Sequence, residues 1–225
     1  MKKLIVIVLL FIFILFIFMY FFKGGIILDH LGIHLEEIHT SDNYSTIDAN
    51  QNGIPDALDI VEAARKEVRQ QTIYKSRYYQ RGYPPSDEGV CTDVIWRGLL
   101  GANITLKDLM DADIVEHTHL YPRVDGKPDP NIDFRSVPNQ FVYFERYAES
   151  LTTELITGDN ENLQQWQAGD IVVFMERNFH HVGIISDKKA KDGTPYFIHN
   201  IRPFAAEVKL SSFNTPIAGH YRWKY

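Results

Sequence analysis

The chain opens on Leu4 to Phe22, an apolar run of 19 residues without a polar break. As a helix rising 1.5 Å per residue it would span about 28 Å, close to the hydrocarbon core of a bilayer. The pattern then changes. Between Asp56 and Gln71, the residues Leu58, Val61, Ala64 and Val68 recur three or four apart, which predicts an amphipathic helix. A second helix is predicted over Cys91 to Leu100, with Val94, Ile95 and Leu99 turned inward. Thr105 is placed to cap a third, with Asp108 three residues on completing a variant of the capping box. Asn139 is placed to cap a short helix over Gln140 to Glu149. Between these lie Tyr74 to Val90, an ordered loop rich in Tyr, Gly, Pro and Ser, and an irregular proline-bearing stretch from Pro122 to Asn139.

The C-terminal third reads differently. Asp170 to Met175, His181 to Asp187, Tyr196 to Ile201 and Gly219 to Tyr225 are short β-rich runs parted by turn signals at Gly169-Asp170 and Asp192-Gly193-Thr194-Pro195. Helices followed by strands predict an α+β domain built on an antiparallel sheet.

Length and charge refine this. The 225 residues suit one domain plus an appendage. Lys2 and Lys3 precede the apolar run, and its end carries no small-x-small cleavage site. Residues 1–23 therefore read as an uncleaved signal anchor. The lysines favour a cytoplasmic N-terminus, which puts the domain outside the cytoplasmic membrane, at the cell surface or in the periplasm. Residues 24–47 read as a linker and residues 56–225 as the folded domain. The formal net charge is −6, and the anchor holds three lysines and no acid, so the remainder is more acidic still. With no basic stripe, nucleic acid is excluded as a partner. The chain has one cysteine, so it holds no internal disulfide.

That cysteine, Cys91, sits where a loop enters a predicted helix. A helix N-terminus carries partial positive charge and free N–H groups, which favour a thiolate well below the usual cysteine pKa of about 8.5 and can also hold an oxyanion. A cysteine nucleophile needs a base, and the base an orienting group. His181 opens the strand His-Val-Gly-Ile-Ile-Ser-Asp and is the candidate base. Gly183, two residues on, leaves room on the same face for a helix or a substrate. His199 shares a face with Phe197 and is the candidate orienting residue, with Asn200 the alternative if a bulge shifts the register. Asn200, Asp93 and Tyr83 are candidate substrate contacts, and Tyr79 or Tyr83 could approach the oxyanion. Asp93 reads equally well as an acid stabilising the first helical turn.

Gly89-Val-Cys-Thr-Asp93, Gly169-Asp-Ile-Val-Val173, His181-Val-Gly-Ile-Ile-Ser-Asp187 and Ile198-His-Asn200 resemble the NlpC-type cell-wall peptidases of the papain-like superfamily. The chain more closely resembles an uncharacterised bacterial family typified by YijF, which takes in Asn131-Ile-Asp-Phe-Arg-Ser-Val-Pro-Asn139 and Gly219-His-Tyr-Arg222 as well. The resemblance spans roughly residues 56–225. It implies a papain-like fold, a Cys-bearing helix packed on an antiparallel sheet that bears the histidines. It also implies a cysteine amidase or peptidase with Cys91 as nucleophile, His181 as base and His199 third, acting on cell-wall peptide. The usual Asp-Cys-Ser-Gly is Val-Cys-Thr-Asp here, which bears on the substrate. Cys precedes His in the chain, unlike the permuted lipid-acyl relatives. Two rivals remain: a non-catalytic module of this fold that binds wall glycopeptide or a protein, and a zinc hydrolase drawing on His117, His119, His180, His181, His199, His220 and Cys91.

Ahead of the domain, Asp48 to Asp59 fits the spacing of an EF-hand calcium loop. Side-chain oxygens fall at Asp48, Asn50, Asn52, Asp56 and Asp59, the Ile54 carbonyl at position 7, and Gly53 at the sharp turn. The segment resembles the calcium loops of dockerins and other extracellular modules. With three acids its expected affinity is weak, about 10⁻⁴–10⁻³ M, and its role structural. The alternative is a polar turn in which Asp56 caps the next helix.

Overall fold

The computed structural model describes residues 6–14 and 37–225. Most of the expected anchor and residues 24–36 of the expected linker lie outside the described residues. Residues 6–14 form an exposed helix, and no helix among the described residues is long and apolar enough to cross a membrane.

The domain is mixed α+β. In chain order it runs β1 (Ile38–Thr40), α1 (Asp56–Arg69), β2 (Ile73–Tyr74), β3 (Glu88–Gly89), α2 (Cys91–Gly101), α3 (Leu106–Glu116), α4 (Val137–Tyr147), β4 (Glu149–Ser150), α5 (Asn160–Leu163), β5 (Ile171–Glu176), β6 (Phe179–Ala190), β7 (Pro195–Asn200), β8 (Ala205–Lys209) and β9 (Gly219–Arg222). Six strands lie side by side in the order β4-β9-β5-β6-β7-β8, and β1 joins the far end of β6. Every pairing in this sheet is antiparallel. Strands β2 and β3 form a separate parallel pair.

Strand residues alternate between two faces, and the sheet is buried on both. Val173, Val182, Ile184, Ile198 and Tyr221 pack with Ile60, Val61, Ala64, Val94, Ile95 and Leu99 of helices α1 and α2 in the larger core. Val172, Phe174, Ile185 and Phe197 pack with Trp166 and Leu210 on the opposite face. Helix α2 lies close on the sheet because Gly98 has no side chain; a Cβ there would meet Ile184 Cδ1 at 2.5 Å. Helix α1 carries Asp56 and Asp59 in its first turn and Lys66 and Arg69 in its last, matching the helix dipole.

Several expectations are corrected. Residues 38–47 are not a free linker: β1 pairs with Lys188–Ala190, Tyr44 bridges Ala168, and Asn43 Nδ2 donates to Gln164 O at 2.9 Å. Thr105 stands at the N-cap of α3 without a side-chain capping bond. Helix α4 starts at Val137 rather than Gln140, with Pro138 in its first turn, where a missing N–H costs nothing. Asn139 lies inside that helix and turns back to donate to Asp133 O at 3.0 Å. Strand β8 went unforeseen, its Ala-Ala-Glu-Val-Lys carrying little β signal. Gly183 makes room for neither helix nor substrate: a Cβ there would meet Phe197 Cζ at 2.4 Å, so the glycine accommodates a ring from the next strand.

Candidate active site

Cys91 is the first residue of α2 and is 7% exposed. What fixes its place is the way β6 and β7 part. Ile185 exchanges hydrogen bonds with Asp170 and Gly169 on the β5 side (2.8 and 2.9 Å). In an antiparallel ladder, N–H groups alternate sides residue by residue, so Ile184 and Val182 face β7. Toward the site, the β6–β7 pairing ends at Ile184 opposite Ile198. The next N–H on that side, from Val182, is left for another acceptor, and it takes the Cys91 sulfur. The thiol thus lies at the fork of two strands, against the peptide bond that joins His181 to Val182.

His181 is 3% exposed and His199 is fully buried. His181 Nε2 and His199 Nδ1 are 2.9 Å apart. Both rings belong to the aromatic side of the sheet: His181 packs against Phe174, Phe179 and Phe213, and Phe197 stacks on His199 at 5.5 Å. Cys91 belongs to the opposite core. The thiol and the two imidazoles therefore belong to opposite faces of the sheet, and the Val182 backbone, next to His181, is what lies against the sulfur. Asn200 faces away from His199, as expected of its neighbour on a strand. It is fully buried, and its Nδ2 points at the Thr72 and Gly89 carbonyls (3.2 and 3.4 Å). Asn200 thereby ties β7 to the backbone two residues before Cys91.

Asp93 is fully buried, with both carboxylate oxygens engaged. Oδ2 accepts the Val90 N–H at 2.7 Å, Oδ1 accepts Trp96 Nε1 at 2.8 Å, and Arg135 reaches both oxygens at 2.7 Å. These contacts are those of a capping acid. Tyr83 is 45% exposed and packs against Trp96 and Phe134. Tyr79 donates to Glu88 at 2.8 Å, with Arg135 over its ring. A further tyrosine, Tyr74, which sequence reasoning passed over, is influenced by the thiol. Its backbone pairs with Gly89, Arg202 lies 5.6 Å over its ring, and its phenol is raised by burial and then by the Cys91 sulfur. Tyr74 is one of 12 tyrosines in the chain, and only the β2–β3 pairing singles it out.

Burial also governs the thiol. The N–H groups of Val182, Thr92 and Cys91 favour the thiolate, but removal from water outweighs them, Asp93 adds to the rise, and the Cys91 thiol is pushed up to about 12. Burial thus opposes the thiolate that the helix N-terminus was expected to favour. Cys91 is the only thiol, so alkylation reports on it alone. Iodoacetamide labelling should be slow near pH 7 and climb about tenfold per pH unit up to pH 11, because only the thiolate reacts. A plateau reached by pH 9 would contradict this.

The other histidines named as zinc ligands lie apart from this pair. His220 stacks on Trp166 at 4.0 Å, with Nδ1 2.8 Å from Thr152 O and Nε2 2.9 Å from Asp170. His117 Nδ1 lies 2.9 Å from Asp113. His119 lies in the 3-10 turn after α3, and His180 is exposed. Among the described residues, no group of three or more His, Cys, Asp and Glu side chains is placed to hold a metal. In the loop 48–59, Asp48, Asn50, Asn52 and Asp59 are linked to one another, while Asp56 is fully buried.

Comparison with known proteins agrees with the YijF-like motifs. Uncharacterized protein YijF of Escherichia coli K12 is 36% identical over 184 residues, covering 79% of this chain and 84% of that one. The family model described as a domain of unknown function, DUF1287, matches residues 61–223, which take in Cys91, His181 and His199 but leave out the loop 48–59. On both grounds, the chain belongs to the DUF1287 family.

Proposed function

We propose that this protein is a papain-like, NlpC-type cysteine hydrolase that cleaves amide bonds of cell-wall peptide outside the cytoplasmic membrane, held there by its N-terminal apolar run. One observation carries the reading: a helix-N-terminal thiol accepts the N–H next to His181, and His181 is hydrogen-bonded to a second buried histidine. A bond between His181 Nε2 and His199 Nδ1 needs one proton. With His181 donating it, His181 Nδ1 becomes the ring's proton acceptor, and His199 fixes that tautomer.

The raised thiol makes the resting pair neutral rather than an ion pair. The Cys91 proton then moves to His181 as the sulfur attacks the carbonyl carbon. The S–C bond forms and the carbonyl electron pair becomes the oxyanion, facing the backbone N–H groups of Cys91 and Thr92, with the Tyr74 hydroxyl as a further donor. The C–N bond breaks and the amine leaves with the proton from His181; a water molecule then gives a proton to His181 as its oxygen attacks the thioester, the C–S bond breaks, the sulfur takes that proton back, and the acyl group leaves as a carboxylic acid that ionises in water. Amide rather than lipid-ester chemistry follows the Cys-before-His order, and wall peptide follows from the expected compartment and the motifs.

The test is incubation of the full-length chain with purified peptidoglycan and its muropeptides, read by mass spectrometry. New amine and carboxylate termini, with an acyl adduct on Cys91 that is lost in His181→Ala, are expected. Wall peptides that bind without being cut or acylating Cys91 would overturn the hydrolase. That result would favour a binding module, a reading supported by the burial of the thiol.

A further inference from the structure

We propose that residues 48–59 form a calcium site that clasps the segment entering the domain to helix α1 and to the C-terminus. The inference is independent of the hydrolase reading, and the loop lies outside residues 61–223, which the family model matches.

The loop is wound as a cation loop requires. Gly53 has a φ of +87°, in the left-handed region, at the position where the chain must turn sharply. The side chains of Asn50 and Asn52 converge on one oxygen of Asp59, their Nδ2 atoms 2.9 and 2.7 Å from Oδ2. Two amide donors thus stand at a carboxylate where a cation would stand. Asp48 closes the ring from the other end, its oxygens accepting the N–H groups of Asn52 at 3.1 Å and Gly53 at 2.9 Å.

A separate observation points to a ligand. Asp56 is fully buried, and its Oδ2 accepts the Ala49 N–H at 2.8 Å, which turns its carboxylate into the loop. Its Oδ1 is buried with no hydrogen-bond partner among the described residues. A buried carboxylate oxygen left unmatched is costly, and a water-bridged cation at position 9 of such a loop supplies what it lacks. Asp48, Asp56 and Asp59 alone do not form a three-acid metal group, so the site depends on the Asn50 and Asn52 amide oxygens and the Ile54 carbonyl as well, an all-oxygen set that suits a hard cation. Few acids and a flexible ring suit calcium better than magnesium, which demands a tighter octahedron. Tyr225 links the loop to the C-terminal residues: its phenol is raised by burial and then by Asp56, Asp170 and Asp59, and it lines a crevice with Trp223, Ser45 and Ala57.

The experiment uses the full-length chain in mild detergent, stripped with a chelator, and reads binding without reference to activity. Terbium, a luminescent stand-in for calcium, should give saturable emission when tyrosine and tryptophan are excited, and calcium should displace it. At 10 mM calcium the melting temperature should rise by about 3–10 °C, as expected for a dissociation constant of 10⁻⁴–10⁻³ M, and magnesium should do less. Asp48→Asn and Asp59→Asn keep an acceptor oxygen but lose charge, and each should weaken binding at least tenfold. Their melts in chelator report whether they fold. Emission that does not saturate, a wild-type melting temperature unmoved by calcium, an equal response to magnesium, or variants that bind as the wild type does would each overturn the site. The wild-type measurements suffice to decide should a variant fail to fold.

Discussion

Cys91→Ala should abolish turnover of wall peptide, by at least about 10⁴-fold in kcat, while the protein stays folded. The attacking sulfur is the one atom that no neighbour replaces. The structural cost is small by comparison: the side chain loses one buried atom, and a change of about 1 kcal/mol is expected. His181→Ala should cost about as much in rate as Cys91→Ala, and the double variant no more than either, because nucleophile and base act as a unit. His199→Ala removes only the partner at His181 Nε2. Its loss should fall on kcat rather than KM and alter the acid limb of the pH profile, about 10²- to 10⁴-fold in rate, since the wrong tautomer is then open to His181. Steady-state kinetics on one muropeptide would check all four variants. Full activity in Cys91→Ala would end the thiol mechanism.

How much of this was legible in the sequence follows from where each piece of information resides. The core-facing residues of α1 and α2 were readable because burial on one side of a helix forces a three- to four-residue spacing, and Val61, Ala64, Val94, Ile95 and Leu99 are indeed buried. The separation of His199 from Asn200 was readable because strand side chains alternate. Three things were not. The fork between β6 and β7 depends on where pairing stops, at Ile184 and Ile198, and no local signal marks that end. The burial that raises the thiol depends on both faces of the sheet being covered, a tertiary property. The capture of residues 38–47 by β6 and Ala168 is a long-range pairing that a polar, linker-like composition conceals. Asp93 was readable as either of two things, and its partner Arg135, 42 residues away, is what favours the structural one.

Asp93→Ala should therefore cost stability before it costs substrate binding. Asp93 and Arg135 are almost completely removed from water, with side chains 0% and 2% exposed. Removing one member strands the other charge, and breaking such a buried pair costs about 3–5 kcal/mol. For a domain of this size that is a fall of about 6–20 °C in melting temperature. The same substitution frees the Val90 N–H and the Trp96 indole N–H, so the turn that presents Cys91 loosens as well. Asp93→Asn keeps an acceptor and should fall between. Asp93→Ala combined with Arg135→Met should recover part of the loss, because an apolar pair of similar bulk leaves no stranded charge. A substrate contact would behave in the opposite way, with KM raised and the melting temperature unmoved in both Asp93→Asn and Asp93→Ala. Thermal melts beside kcat and KM for the four proteins separate the two roles. A capping acid that shapes the nucleophile's turn should show its largest effect in the melt, with kcat falling as the turn loosens and KM nearly constant.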